Sequence, residues 1–154
     1  MKSTLKIASA LVLSVLIISG LVSCGQKPVT AEEVTQAEAI TDNLIEGIDK
    51  RDYAVFSKDF DPNMQEAMKE PDFIALAELF DETIGTYQSR TLIESRRILS
   101  AGTVLMLFTY QAKYDKDPGT VTITVYLTEK DDALLIAGFS YDSPNLQEKG
   151  SPEK

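Results

Sequence analysis

At Gly85 the spacing of apolar residues along the chain changes from three and four residues to two. The first spacing lets a helix bury one stripe, and the second lets a strand bury one face. A chain that is helical before such a point and stranded after it folds as α+β, with helices gathered against an antiparallel sheet, and not as alternating βαβ units. The helical half opens at Thr30-Ala31-Glu32-Glu33, a capping box in which Thr30 accepts from the amide of Glu33 while the Glu33 carboxylate reaches back. Val34, Ala37, Ile40, Leu44, Ile45 and Ile48 then predict one helix to about residue 50, with Gly47 as its weak point. Asp52 is placed to cap a brief helix over 53–56, and Asp61-Pro62 to restart the chain over 63–68. Pro71 opens another helix with Phe73, Ile74, Leu76, Ala77, Leu79 and Phe80 directed inward, and Gly85 closes it.

Beyond Gly85 the spacing predicts strands over 87–99, 103–114, 120–127 and 134–141, joined by connections short enough to make neighbours antiparallel. In the third, Val121, Ile123, Val125 and Leu127 alternate with threonines and Tyr126, so one face is buried and the other polar. In the second, Val104, Met106, Phe108 and Tyr110 form one row while Leu105 and Leu107 occupy the other, the mark of a central strand covered on both faces. Strict alternation in the first strand places Arg90 and Arg96 on one face, where they could hold an anion, and Arg97 on the other; a solvated edge strand accounts for the same charges. Residues 143–154 are polar and read as a frayed tail.

The first residues set the compartment. Lys2 and Lys6 precede an uncharged apolar run over 7–20, the arrangement of an export signal. Leu21-Val22-Ser23-Cys24-Gly25 follows and resembles the lipobox of bacterial lipoproteins, in which the cysteine is acylated and becomes the first residue of the mature chain. The resulting division is a signal peptide over 1–23, a lipidated tether over 24–29, a folded domain over 30–142 and the tail. Cys24 is the only cysteine and there is no histidine, which excludes internal disulfides, Cys-His or Ser-His-Asp catalysis and imidazole-bound zinc. A net charge of -9 excludes a general grip on nucleic acid phosphates and leaves the lipid as the membrane contact.

Leu44, Ile45, Gly47, Asp52-Tyr53, Phe56, Phe60-Asp61, Met64, Gly85-Thr86-Tyr87 and Ile136-Ala137-Gly138-Phe139 together resemble the domain of unknown function 3887 family, a branch of the nuclear transport factor 2-like superfamily, over about residues 32–142. The chain departs from that pattern at Arg51, where members often carry Gly, and near Leu134, where many carry Trp. The resemblance implies a cone of the cystatin-like kind, with helices packed across a curved four-stranded meander and a cavity between them. Phe56, Phe60, Phe80, Tyr87, Phe108 and Tyr110 are the candidates to line that cavity for a small apolar ligand, and would serve equally as core. The leading reading is a lipid-anchored, extracytoplasmic, non-catalytic module that binds such a ligand or an envelope protein, without a cofactor. A second is proton transfer by Asp52, Asp59 or Asp61 with Tyr110 or Tyr126, as in relatives that isomerise steroids. A third is a structural envelope protein that pairs two copies through a sheet face carrying Arg90, Thr122, Thr124 and Tyr126. Asp59, Asp61, Asn63 and Glu70 have the oxygen spacing of a calcium loop, but Met64 stands where that loop needs Gly and Pro71 interrupts its exit, so no metal is expected there.

Overall fold

The structure, a computed structural model, describes residues 27–150. The expected signal peptide and Cys24 lie outside the described residues. Helix α1, Ala31–Lys50, starts at the capping box: the Glu33 amide donates to Thr30 Oγ1 over 3.2 Å and the Thr30 amide to Glu33 Oε2 over 2.8 Å. Its stripe, Ala37, Ile40, Thr41, Leu44, Ile45, Gly47 and Ile48, is buried. It ends on Arg51, which adopts the left-handed conformation (φ 54°) that Gly accepts without strain.

Gly47 is a requirement of the packing, not a weak point. A Cβ there would stand 2.4 Å from the backbone nitrogen of Phe56 in α2, Tyr53–Phe56, so only Gly lets the two helices approach this closely. Asp52 caps α2 through the Val55 amide (3.1 Å), and Asp61 caps α3, Pro62–Ala67, through the Met64 amide (2.7 Å). Helix α4, Glu70–Thr83, holds Pro71 in its first turn and buries Phe73, Ala77 and Phe80. Ile74 and Leu79, expected inward, are 50% and 39% exposed, because α4 packs along the narrower stripe of residues 73, 77 and 80. Gly85 follows at φ 80°, and its amide donates to the carbonyl of Phe80, closing the helix.

The sheet is the expected antiparallel meander, in the order β1 (Tyr87–Ser100), β2 (Thr103–Tyr114), β3 (Val121–Lys130) and β4 (Ala133–Asp142). Met106, Phe108, Tyr110 and Ala112 of β2 lie in register with Leu127, Val125, Ile123 and Val121 of β3, and all eight are buried in one core with α1, α2 and α4. Leu107, on the other face of β2, is buried too, as a central strand requires. A single parallel bridge between Phe60 and Ile136 ties the α2–α3 link to β4. The fold does not stop at residue 142: Pro144–Gly150 form helix α5, where a frayed tail was expected. The buried Ser143 accepts from the Leu146 amide to start it, and Asn145 donates to the carbonyl of Thr83 in α4. Among the described residues no helix is long and apolar enough to cross a membrane.

Candidate functional site

The ionic centre of the molecule is built by a β-bulge. Leu92 pairs with Tyr110 and Glu94 with Thr109, so Ile93 is an extra residue that reverses the alternation beyond it. Arg90 and Arg97 therefore share the face turned toward α1, while Arg96 turns outward and pairs with Glu94 at 2.7 Å. Strict alternation had joined Arg90 to Arg96 instead; a bulge with no Gly in it leaves no mark in the sequence.

Arg90 is 7% exposed at its side chain. Its two terminal nitrogens each reach an α1 carboxylate at 2.6 Å, Glu38 and Asp42, and one also donates to the carbonyl of Glu38. The guanidinium carbon lies 5.1 Å from the centre of the Tyr110 ring, within cation–π range. Burial works against the charge of Arg90, but the hydrogen bonds it donates to both carboxylates outweigh that and hold the cation more firmly than in water. At the start of α1, Arg97 pairs with Glu33 at 2.5 Å and donates to the carbonyl of Lys27 at 3.0 Å. Edge strand β1 is thus clamped to α1 at two levels. Glu38 and Asp42 are the residues that sequence reasoning missed. Their signal is present: two acids four residues apart beside the apolar stripe, the spacing that puts both over one cation.

The tyrosines under this clamp are shielded. Burial pushes the Tyr110 phenol up to about 12, against a weak hydrogen bond from Thr41 (3.4 Å). Burial likewise raises Tyr114 and Tyr141, which sit beside each other. At the C-terminal end of α1 a shallow groove of about 340 Å³ is lined by Asp42, Ile45, Glu46, Asp49, Lys50 and Tyr87. Asp49 also borders a recess of about 120 Å³ shared with Phe80, Asp81 and Thr86. Partial burial raises the pKa of its carboxyl, a hydrogen bond from the Tyr87 backbone opposes that, and the charge of Asp115 adds to it.

The six cavity candidates separate into different places. Phe56 and Phe60 pack on each other with ring centres 5.0 Å apart, and Phe56 lies 4.5 Å from Phe73. Phe80 packs on Tyr141 with tilted rings whose centres are 4.7 Å apart, Phe108 is fully buried, and Tyr110 lies under Arg90. All five are buried, but of them only Phe56 and Phe60 pack ring on ring with each other. Tyr87, packed on Tyr114, borders the open groove, and Phe80 reaches the smaller recess.

The carboxylates considered for proton transfer have local partners. Asp52 and Asp61 are helix caps, and Asp59 accepts from Asn43 at 2.7 Å. Tyr126 lies on the opposite sheet face from Tyr110, beside the open position of Gly138. The same caps dismantle the calcium spacing: Asp61 and Asn63 belong to the start of α3, and Glu70 to α4. Among the described residues no three Asp or Glu side chains stand close enough to hold a metal ion. No family model and no curated protein matches the chain.

Proposed function

We propose that this chain is a lipid-anchored, extracytoplasmic interaction module, a nuclear transport factor 2-like cone of the domain of unknown function 3887 branch, whose α1 groove receives an envelope protein. The observation that carries the partner is the open groove of Asp42, Glu46, Asp49, Lys50 and Tyr87 beside aromatic candidates that are buried in the core. The aromatic residues that a small apolar ligand would need are buried in the packed core, Phe56 against Phe60 and Phe73, whereas Asp42, Glu46 and Asp49 line the groove with Lys50 and Tyr87, Glu46 paired with Lys50 and Asp42 with Arg90. A polar rim with three carboxylates to one lysine beside the partly exposed Tyr87 suits a protein surface that carries basic charge. The anchor rests on Leu21-Val22-Ser23-Cys24 and on the few residues between it and the Thr30 cap, which keep the domain close to the bilayer. A photocrosslinker at Glu46, compared with one at Thr124 on the outer sheet face, tests the reading in membranes. A discrete protein adduct from Glu46 alone is expected; no adduct, or a small molecule retained in native mass spectrometry, would overturn it.

A second reading, pairing of two copies through the outer sheet face, is supported by one feature. Ile98 and Leu105 pair across β1 and β2 and, with Tyr126 of β3, are half-buried, so that face carries some apolar surface among its threonines. Arg90, expected there, is on the other face. A dimer in native mass spectra that Tyr126→Glu dissociates would favour this reading.

A further inference from the structure

Past Arg97 the β1–β2 hairpin loses the cover of α1. Leu99 and Val104 pair across the two strands on the same face as Arg97, and they are 66% and 48% exposed. Ile98 and Leu105 pair on the other face and are half-buried. From Ile98 to Leu105 there is no charged residue, and the turn itself is Ala101-Gly102. This hairpin end carries aliphatic side chains on both faces, two of them well exposed, with only the uncharged Ser100 and Thr103 beside the turn as polar side chains.

The start of the described chain lies beside this tip. The carbonyl of Lys27 is held by Arg97, two residues before Leu99, and Cys24 is three residues earlier still. Three residues reach at most about 11 Å. On the lipid-anchor reading, on which this inference rests, the acylated cysteine therefore holds the uncharged tip at the bilayer surface. The neighbouring β3–β4 turn, Glu129-Lys130-Asp131-Asp132, emerges at the same end of the sheet and is charged, which confines contact with lipid to the β1–β2 tip.

We infer that the Ile98–Leu105 tip inserts into the interfacial layer of the membrane that carries the lipid, and so fixes the orientation of the domain. The tip and the N-terminus of α1 then face the bilayer, and the C-terminal end of α1 with its acidic groove points away from it. Two membrane contacts make an orientation where a single acyl tether would leave the domain free to tumble.

The test uses the acylated full chain in phosphatidylcholine vesicles that contain a bilayer-embedded quencher, with an environment-sensitive label at Ser100→Cys or, at the opposite end of the sheet, at Thr120→Cys. Acylation blocks Cys24, so each label has one attachment point. Quenching at residue 100 should exceed that at residue 120 by about threefold or more, and Leu99→Glu with Val104→Glu, both at exposed positions, should abolish the difference while the melting temperature holds. Equal quenching at both positions on a chain whose intact mass shows the acyl groups would overturn the tip insertion and leave the anchor standing. A chain without acyl mass would remove the anchor reading and this inference with it. Self-quenching of the residue 100 label that grows with protein density, without lipid quenching, would assign the tip to a second copy and overturn the membrane contact.

Discussion

Gly47→Ala separates local propensity from tertiary packing by the sign of its effect. In an isolated helix the change is favourable by about 1 kcal/mol, since Ala orders the helix interior better than Gly. In the folded protein the new methyl would lie 2.4 Å from the nitrogen, 2.5 Å from the Cα and 2.6 Å from the Cβ of Phe56. All three are backbone or backbone-fixed atoms of α2, so no side-chain rotation relieves them. Helix α2 must move outward by roughly 1 Å to restore normal contact, which loosens Phe56 from Phe60 and Phe73. Overpacking of this kind costs about 1–3 kcal/mol, occasionally more; with the rigid contact at the upper end and the propensity gain subtracted, the net loss is about 2 kcal/mol. For a domain of this size that lowers the melting temperature by about 8 °C. Thermal unfolding followed by circular dichroism reads it directly. Ala39→Gly, on the exposed side of the same helix, calibrates the propensity alone and should cost about 1 kcal/mol. If Gly47→Ala leaves the melting temperature unchanged or raises it, the close α1–α2 contact is wrong.

Arg90→Met should destabilise by about 2 kcal/mol, through two charged hydrogen bonds lost while Glu38 and Asp42 keep enough exposure to regain water; a neutral change in a urea titration would deny the clamp its role. Asp49 has a raised folded pKa, so the native state binds its proton more tightly and stability falls as pH rises through that window. Asp49→Asn, which retains an acceptor for the Tyr87 amide, should therefore raise the melting temperature at about pH 7 and leave it unchanged near pH 3. Glu33 has the opposite sign: the Thr30 amide, with Arg97, lowers its pKa, so its contribution is present above the unfolded carboxyl value and lost as pH falls through the folded one. Glu33→Gln should flatten that acid limb of the stability profile. Of the six tyrosines, Tyr110, Tyr114 and Tyr141 hold their protons beyond the ordinary phenol range, so absorbance titration of the folded protein to about pH 11 should release three or fewer phenol protons, with the remainder appearing on unfolding.

Local chemistry was legible without the fold. Thr30, Asp52 and Asp61 cap because a short acceptor followed by free amides acts within three residues, and Val121 to Leu127 bury alternate side chains because the pleat has period two. The change of period at Gly85, and with it the α+β architecture and strand order, followed from those rules alone. The tail was misread because polar residues 144–150 gain their helix from Ser143 and from Thr83, some sixty positions away.

What only the tertiary structure decided is which side chains meet. One inserted residue, Ile93, exchanged Arg96 for Arg97 on the face of α1, and so made a clamp on Glu33, Glu38 and Asp42 where alternation offered either a solvated edge or an anion site on Arg90 and Arg96. Gly47 read as a weakness because propensity is summed along one helix, whereas its use lies in a second helix that passes over it. Periodicity is a property of neighbours in the chain and survives in the sequence; register and close approach belong to pairs of segments, and are set by the packing that brings them together.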